Sequence, residues 1–133
     1  MKLITRDTDY AVRAICYIAK SKNELVSAEE LVKKLRIPRP FLRKILQILN
    51  KKKILQSYKG KGGGFSLAIK ADDIRLISLM KIFQGDFRLN ECTFKKTPCS
   101  NIKICPLRKK IDSIQTYIVS QLKDVTIGSL LKK

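Results

Sequence analysis

Residues 33–61 carry eleven Lys and Arg side chains and no carboxylate. This segment constrains the fold more than any other. Apolar residues run through it at helical spacing, yet Pro38 and Pro40 forbid one continuous helix, because proline lacks an amide hydrogen and its ring clashes with the preceding turn. Four glycines among residues 60–64 forbid a helix at the far end. The segment must therefore run helix, connector, helix, turn. A solvated helix face usually mixes signs, so a stretch of one sign points to a phosphate-bearing partner; a merely lysine-rich surface is the plainer alternative.

Ser27-Ala28-Glu29-Glu30 reads as a capping box, in which the Ser27 hydroxyl takes the Glu30 amide and the Glu30 carboxylate reaches back. Leu31, Val32 and Leu35 extend that helix to about Leu35. A new helix is expected over about residues 40–52, with Phe41, Leu42, Ile45, Ile48 and Leu49 as its inward stripe. Arg39, Arg43, Lys44, Gln47 and Lys51 fall largely outside the stripe. Two short helices with a tight connector, the second basic and exposed, describe a helix-turn-helix. Residues 54–58 and 65–69 then read as strands around Lys59-Gly60-Lys61-Gly62-Gly63-Gly64, and a hairpin in this place is a wing.

The contacts expected with double-stranded DNA are thus Arg39, Arg43, Lys44 and Gln47 on the second helix, with Lys59, Lys61, Gly62 and Gly63 in the wing. Arginine can read guanine bidentately, and glycine lets the backbone approach a phosphate. Two other phosphate motifs fail: the loop ends Gly-Gly-Phe-Ser rather than Gly-Lys-Ser/Thr, and a G-x-G-x-x-G run from Gly60 meets Phe65.

The flanking segments complete a mainly α chain with one small β-hairpin. Thr8 or Asp9 is the expected cap of a first helix ending near Lys20. Its apolar residues cover more than one face, so it is buried on two sides, with Cys16 read as core. A fourth helix is expected from Asp72 or Asp73 to near Gly85. From Pro106, residues Leu107, Ile111, Ile114, Ile118, Leu122 and Val125 recur at steps of 4, 3, 4, 4 and 3, one continuous stripe. So long a stripe exceeds what a small wing domain can cover, so this helix is expected to form a homodimer, followed by a short turn at residues 129–131. The expected organisation is a winged helix-turn-helix domain over 1–84, a cysteine loop over 85–105, and a dimerisation helix with closing turn over 106–133.

Composition narrows the function. With 133 residues, 44% hydrophobic, the chain can build one core, and its net charge of +18 attracts polyanions. It has no histidine, which removes His-based acid/base chemistry, nucleophile–histidine catalysis and histidine metal ligands. It also lacks CxxC and any acid/base pair, so an enzyme is not expected. The longest apolar run, residues 14–19, is far short of the about 20 a membrane span needs, and the first residues lack a signal-peptide stretch. A cytoplasmic protein with reduced cysteines is expected, with no membrane partner.

Cys92, Cys99 and Cys105 follow a C-x6-C-x5-C pattern before Pro106. A thiolate beside a helix N-terminus is favoured by its amides and dipole. Thiolates suit iron–sulfur clusters or zinc, but structural zinc usually takes four protein ligands, which three cysteines and no histidine do not supply. A cluster with one oxygen or exchangeable ligand fits better, with zinc and a thiol redox switch as alternatives.

With these motifs in place, the chain resembles the IscR/NsrR/CymR family of Rrf-type winged-helix transcription regulators over essentially its whole length. The resemblance rests on Asp9-Tyr10-Ala11-Val12-Arg13 in the first helix, Phe41-Leu42 and Lys44-Ile45-Leu46 in the recognition helix, the glycine-rich wing, and the three-cysteine loop. It implies a homodimer on a pseudo-palindromic operator, usually repressing, whose DNA affinity is controlled by a 2Fe–2S or 4Fe–4S iron–sulfur cluster. Such regulators sense nitric oxide, redox state or cluster supply. CymR-like members lack the cluster and respond through a partner enzyme, so a cluster-free or zinc-bearing regulator is the alternative.

The resemblance also bears on the ligands. Where the IscR branch places a histidine ligand, this chain has Arg108, which stays protonated and cannot ligate. Asp9 matches the NsrR branch's aspartate ligand, donated by the first helix of the other subunit, and capping is its plainer role. Arg43 stands where IscR-like proteins have an acidic base-reading residue, and Lys53 where the family often has glycine.

Overall fold

A computed structural model describes residues 3–87 and 106–132. Its elements are α1 (Arg6–Lys20), α2 (Ala28–Leu35), α3 (Arg39–Lys51), β1 (Leu55–Tyr58), β2 (Gly64–Leu67), α4 (Leu76–Gln84), α5 (Pro106–Lys123) and α6 (Ile127–Leu131). The helical hairpin of α2 and α3 leads directly into the antiparallel pair β1–β2, whose register sets Leu55 opposite Leu67 and Tyr58 opposite Gly64. Val26 adds one bridge to the outer edge of β2, exchanging both backbone hydrogen bonds with Phe65 at 3.0 and 2.8 Å. The result is mainly helical with a small hairpin, as expected. Among the described residues no helix is long and apolar enough to cross a membrane.

α1 is the centre of the core. Ala11, Ala14, Ile15 and Ile18 are buried, and α2, α3, α4, α6 and β2 all pack on this helix. Cys16 packs at the edge of that core, half-buried; burial raises its thiol pKa, opposed by the nearby Lys20 charge. Leu31, Ile37, Leu42, Ile45, Leu46 and Leu49 close the core from the helical hairpin.

The cap of α1 is Thr5, whose hydroxyl accepts the Thr8 amide, and not Thr8 or Asp9. Thr8 is instead the one buried polar residue among those described. Its hydroxyl donates to Gln84 Oε1 at 2.8 Å, the same oxygen that accepts the Thr5 amide at 3.1 Å. Gln84 Nε2 donates in turn to the Leu3 carbonyl at 3.1 Å. One side chain at the end of α4 thus ties down the start of α1, and a buried hydroxyl finds the partner it requires.

α4 begins later than its acidic residues imply. Ala71–Asp73 form a single 3-10 turn, Ile74 and Arg75 are extended, and the helix starts at Leu76. The extended pair is held by the stretch before α6: the Leu76 amide donates to the Val125 carbonyl and the Ile127 amide to the Ile74 carbonyl, at 3.0 and 2.9 Å. The expected closing turn is therefore the short helix α6, with a capping box between Thr126 and Ser129 and with Ile127 fully buried.

Candidate nucleic-acid interface

The recognition segment is built by its two flanking stops. Ser27 caps α2 by accepting the Glu30 amide at 3.1 Å, while the Glu30 carboxylate accepts the Tyr17 hydroxyl at 2.7 Å and so pins α2 to α1. That carboxylate keeps the Tyr17 hydroxyl protonated, raising its pKa. α2 ends at Leu35, and its C-cap Arg36 adopts the left-handed conformation at φ 57° and donates its amide to the Val32 carbonyl. Ile37 is buried, Pro38 is the N-cap of α3 and Pro40 sits in its first turn. No side chain caps this end and no acid occupies the first turn, so the positive end of the helix dipole is left uncompensated.

α3 divides cleanly into two faces. Leu42, Ile45, Leu46 and Leu49 are buried. Phe41 was expected in that stripe but is 39% exposed, and Leu46 takes its place. Arg39, Arg43, Lys44 and Gln47 are all exposed. Arg39 reaches Glu29 at 3.8 Å, an exposed pair of little energetic weight.

The wing turn is set by glycine. The Gly63 amide donates to the Gly60 carbonyl at 3.0 Å and Gly62 takes φ 80°, the third-position geometry of a type II turn. Lys61 therefore stands at the corner of the tip, exposed, with Lys59 exposed beside it. At Gly63 a Cβ would collide with the Tyr58 carbonyl, so this glycine serves the turn's own closure before any ligand. Exposed Tyr58 lies at the base of the turn.

Of the expected cluster ligands, Cys92, Cys99 and Cys105 lie outside the described residues. Asp9 is described: it sits in the first turn of α1, its side chain 44% exposed, 3.0 Å from Nε of Arg13 four residues on. Thr5 does the capping, so Asp9 is not needed for it. Arg108 pairs with Asp112 at 3.7 Å. The sequence reading missed the Gln84 hub and the contact of Arg6 with Phe41, since both join residues far apart in the chain.

The Rrf2 family model, whose description is iron-dependent transcriptional regulator, matches residues 4–133. The chain belongs to the Rrf2 family. It is 31% identical over 127 residues to the HTH-type transcriptional regulator NsrR of Oceanobacillus iheyensis, covering 94% of this chain and 86% of that protein. In fold it is similar to CymR of B. subtilis, described as the global cysteine regulator, with a TM-score of 0.77, 16% identity and 99% and 98% of the two chains covered. It is likewise similar to T. potens IscR, with a TM-score of 0.75, 20% identity and 99% and 87% covered. As an Rrf2 protein this chain is a DNA-binding transcriptional regulator and not an enzyme.

Proposed function

We propose that this Rrf2 protein is a cytoplasmic homodimeric repressor whose operator affinity is set by an iron–sulfur cluster. The observation that carries the DNA-binding half is the face of α3. Its three buried leucines and one buried isoleucine serve the core, which leaves Arg43, Lys44 and Gln47 exposed for a major groove and Arg39 held only by a weak pair. Lys59, Lys61, Gly62 and Gly63 at the wing are the proposed contacts to the adjoining backbone or minor groove. If about 6–10 phosphates are neutralised per dimer, affinity falls steeply with salt.

The donor set fits a cluster better than zinc. Three soft thiolates at Cys92, Cys99 and Cys105 and one hard carboxylate at Asp9 suit cluster iron, whereas structural zinc sites are usually completed by a fourth cysteine or a histidine, and the chain has no histidine. Asp9 is accessible on α1, is not the cap, and would exchange Arg13 for the metal. A bound cluster would supply a labile link, sensitive to nitric oxide or redox state, between the cysteine segment and the partner's α1. The protein's part is to turn that link into the spacing of two α3 helices. α1 touches α2, α3 and α4 alike, so displacing it changes how the helical hairpin is presented.

The test compares protein purified without oxygen with the same protein stripped of metal. Iron, a visible chromophore and a difference in duplex affinity between the two forms support the reading. Colourless, iron-free protein with the affinity of the stripped form overturns the cluster and leaves a cluster-free or zinc-bearing regulator. Asp9→Ala is expected to alter the spectrum or the rate of cluster loss.

A further inference from the structure

Arg6 opens α1 and Phe41 lies in the first turn of α3, yet the Arg6 guanidinium carbon sits 4.3 Å from the centre of the Phe41 ring. The pair is on the surface: the Arg6 side chain is 56% exposed and Phe41 is 39% exposed. Phe41 precedes Lys44 by three residues, so the two are neighbours on the helix surface. Arg6 thus extends the cationic edge of α3 with a charge from a different helix. Its ion-pair partner is Asp7, whose carboxylate is 3.8 Å from Nε and 40% exposed, a contact too long for a hydrogen bond.

Two restraints hold this arginine. Its backbone is the first helical residue after the Thr5 cap, and Thr5, Thr8 and Leu3 are all fastened to Gln84. Its guanidinium is held by the electrostatic attraction of the aromatic face. A guanidinium so held keeps N–H donors free for another acceptor and loses little freedom on binding. A large aromatic at a surface position of the recognition helix has no part in the core, and the stack gives it one.

We propose that Arg6 is a contact to a DNA backbone phosphate at the flank of α3, and that Phe41 is its positioning residue. The proposal rests on the DNA-binding reading above and adds to it a contact from outside the helix-turn-helix and wing. Arg6 stands at the shoulder of α3 and not on its outer face, so the contact is to phosphate and carries no base preference.

The test measures anisotropy of a fluorescent mixed-sequence duplex with the full chain over a potassium chloride series. The slope of log affinity against log salt for Arg6→Gln is expected to be shallower by about 1 per subunit. Arg6→Lys keeps the charge and is expected to keep the slope. Phe41→Leu is expected to keep the slope and lose affinity several-fold, with Phe41→Tyr restoring it. A steep wild-type slope that Arg6→Gln leaves unchanged overturns the proposal alone, and a lowered melting temperature with that unchanged slope assigns the stack to packing. A flat wild-type titration overturns the DNA-binding reading and this proposal with it.

Discussion

α3 and α5 are both amphipathic, and they use that property in opposite ways. α3 buries Leu42, Ile45, Leu46 and Leu49 and shows solvent a row of cations. α5 buries none of its residues; Leu107 is 69% exposed, Tyr117 61% and Ile114 40%, while Ile111, Ile118 and Leu122 are half-covered. The pattern of apolar residues tells which side of a helix avoids water. It does not tell whether the covering surface belongs to the same chain. For α3 that surface is α1, α2 and β1; for α5 it is only partly α4.

Truncation tests the contrast most strongly. Leu46→Ala removes a fully buried side chain and should cost about 2–5 kcal/mol of unfolding free energy. Leu107→Ala, made on the exposed side of α5, should change it by less than about 0.5 kcal/mol at concentrations where chains are separate. Equal losses in urea denaturation would mean that the two helices are covered alike. Ile114→Asp sharpens the same point. It should leave the secondary structure intact and convert a two-chain species to a single chain in sedimentation velocity; a chain that is single before the change removes α5 as a dimer surface.

On the α3 side, substitutions should move binding and not folding. Arg43→Ala should weaken binding to the preferred duplex by about 1–3 kcal/mol and relax preference at one base pair, with little change in melting temperature. Lys61→Ala at the wing corner should weaken all duplexes alike and reduce the salt slope by about 1 per subunit. If Arg43→Ala instead lowers all duplexes alike, Arg43 is a phosphate contact and the base reading passes to Lys44 and Gln47.

What could be read from the chain was whatever is decided locally. Pro38 and Pro40, the Ser27 cap and the glycines of residues 60–64 each act within a few residues, and the helical hairpin and wing follow from them. The errors lie where a distant partner decides. Thr5, Thr8 and Asp9 are all capping residue types, the structure uses Thr5, and Thr8 is taken from that role by Gln84. Asp72 and Asp73 look like the start of α4, but the following residues are drawn into extended pairing with the segment before α6. Phe41 looks like core by hydrophobicity and is turned outward onto Arg6. Of the proposed site, the exposed basic face of α3 and the glycine turn of the wing were legible, because charge and glycine are visible in a sequence; the stack of Arg6 on Phe41 was not, because nothing local announces it.

The smallest effect concerns the join between the two halves of the reading head. α3 ends at Lys51 with Lys52 as its C-cap, and Lys53 takes φ 63° while its amide donates to the Asn50 carbonyl and the Ile54 amide to the Leu49 carbonyl, each at 3.0 Å. The left-handed geometry usual for glycine after a helix is therefore kept here by a lysine, although its Cβ makes that conformation costly by roughly 1–2 kcal/mol. Lys53→Gly relieves that strain but gives back part of the gain, since glycine has more backbone freedom to lose on folding. The net expectation is stabilisation by about 0.5–1 kcal/mol in urea denaturation. In duplex binding, loss of an exposed charge that belongs to neither α3 nor the wing should leave the salt slope unchanged. If the slope falls as it does for Lys61→Ala, Lys53 is itself a phosphate contact, and its strained backbone is retained for the charge it carries at the helix–wing junction.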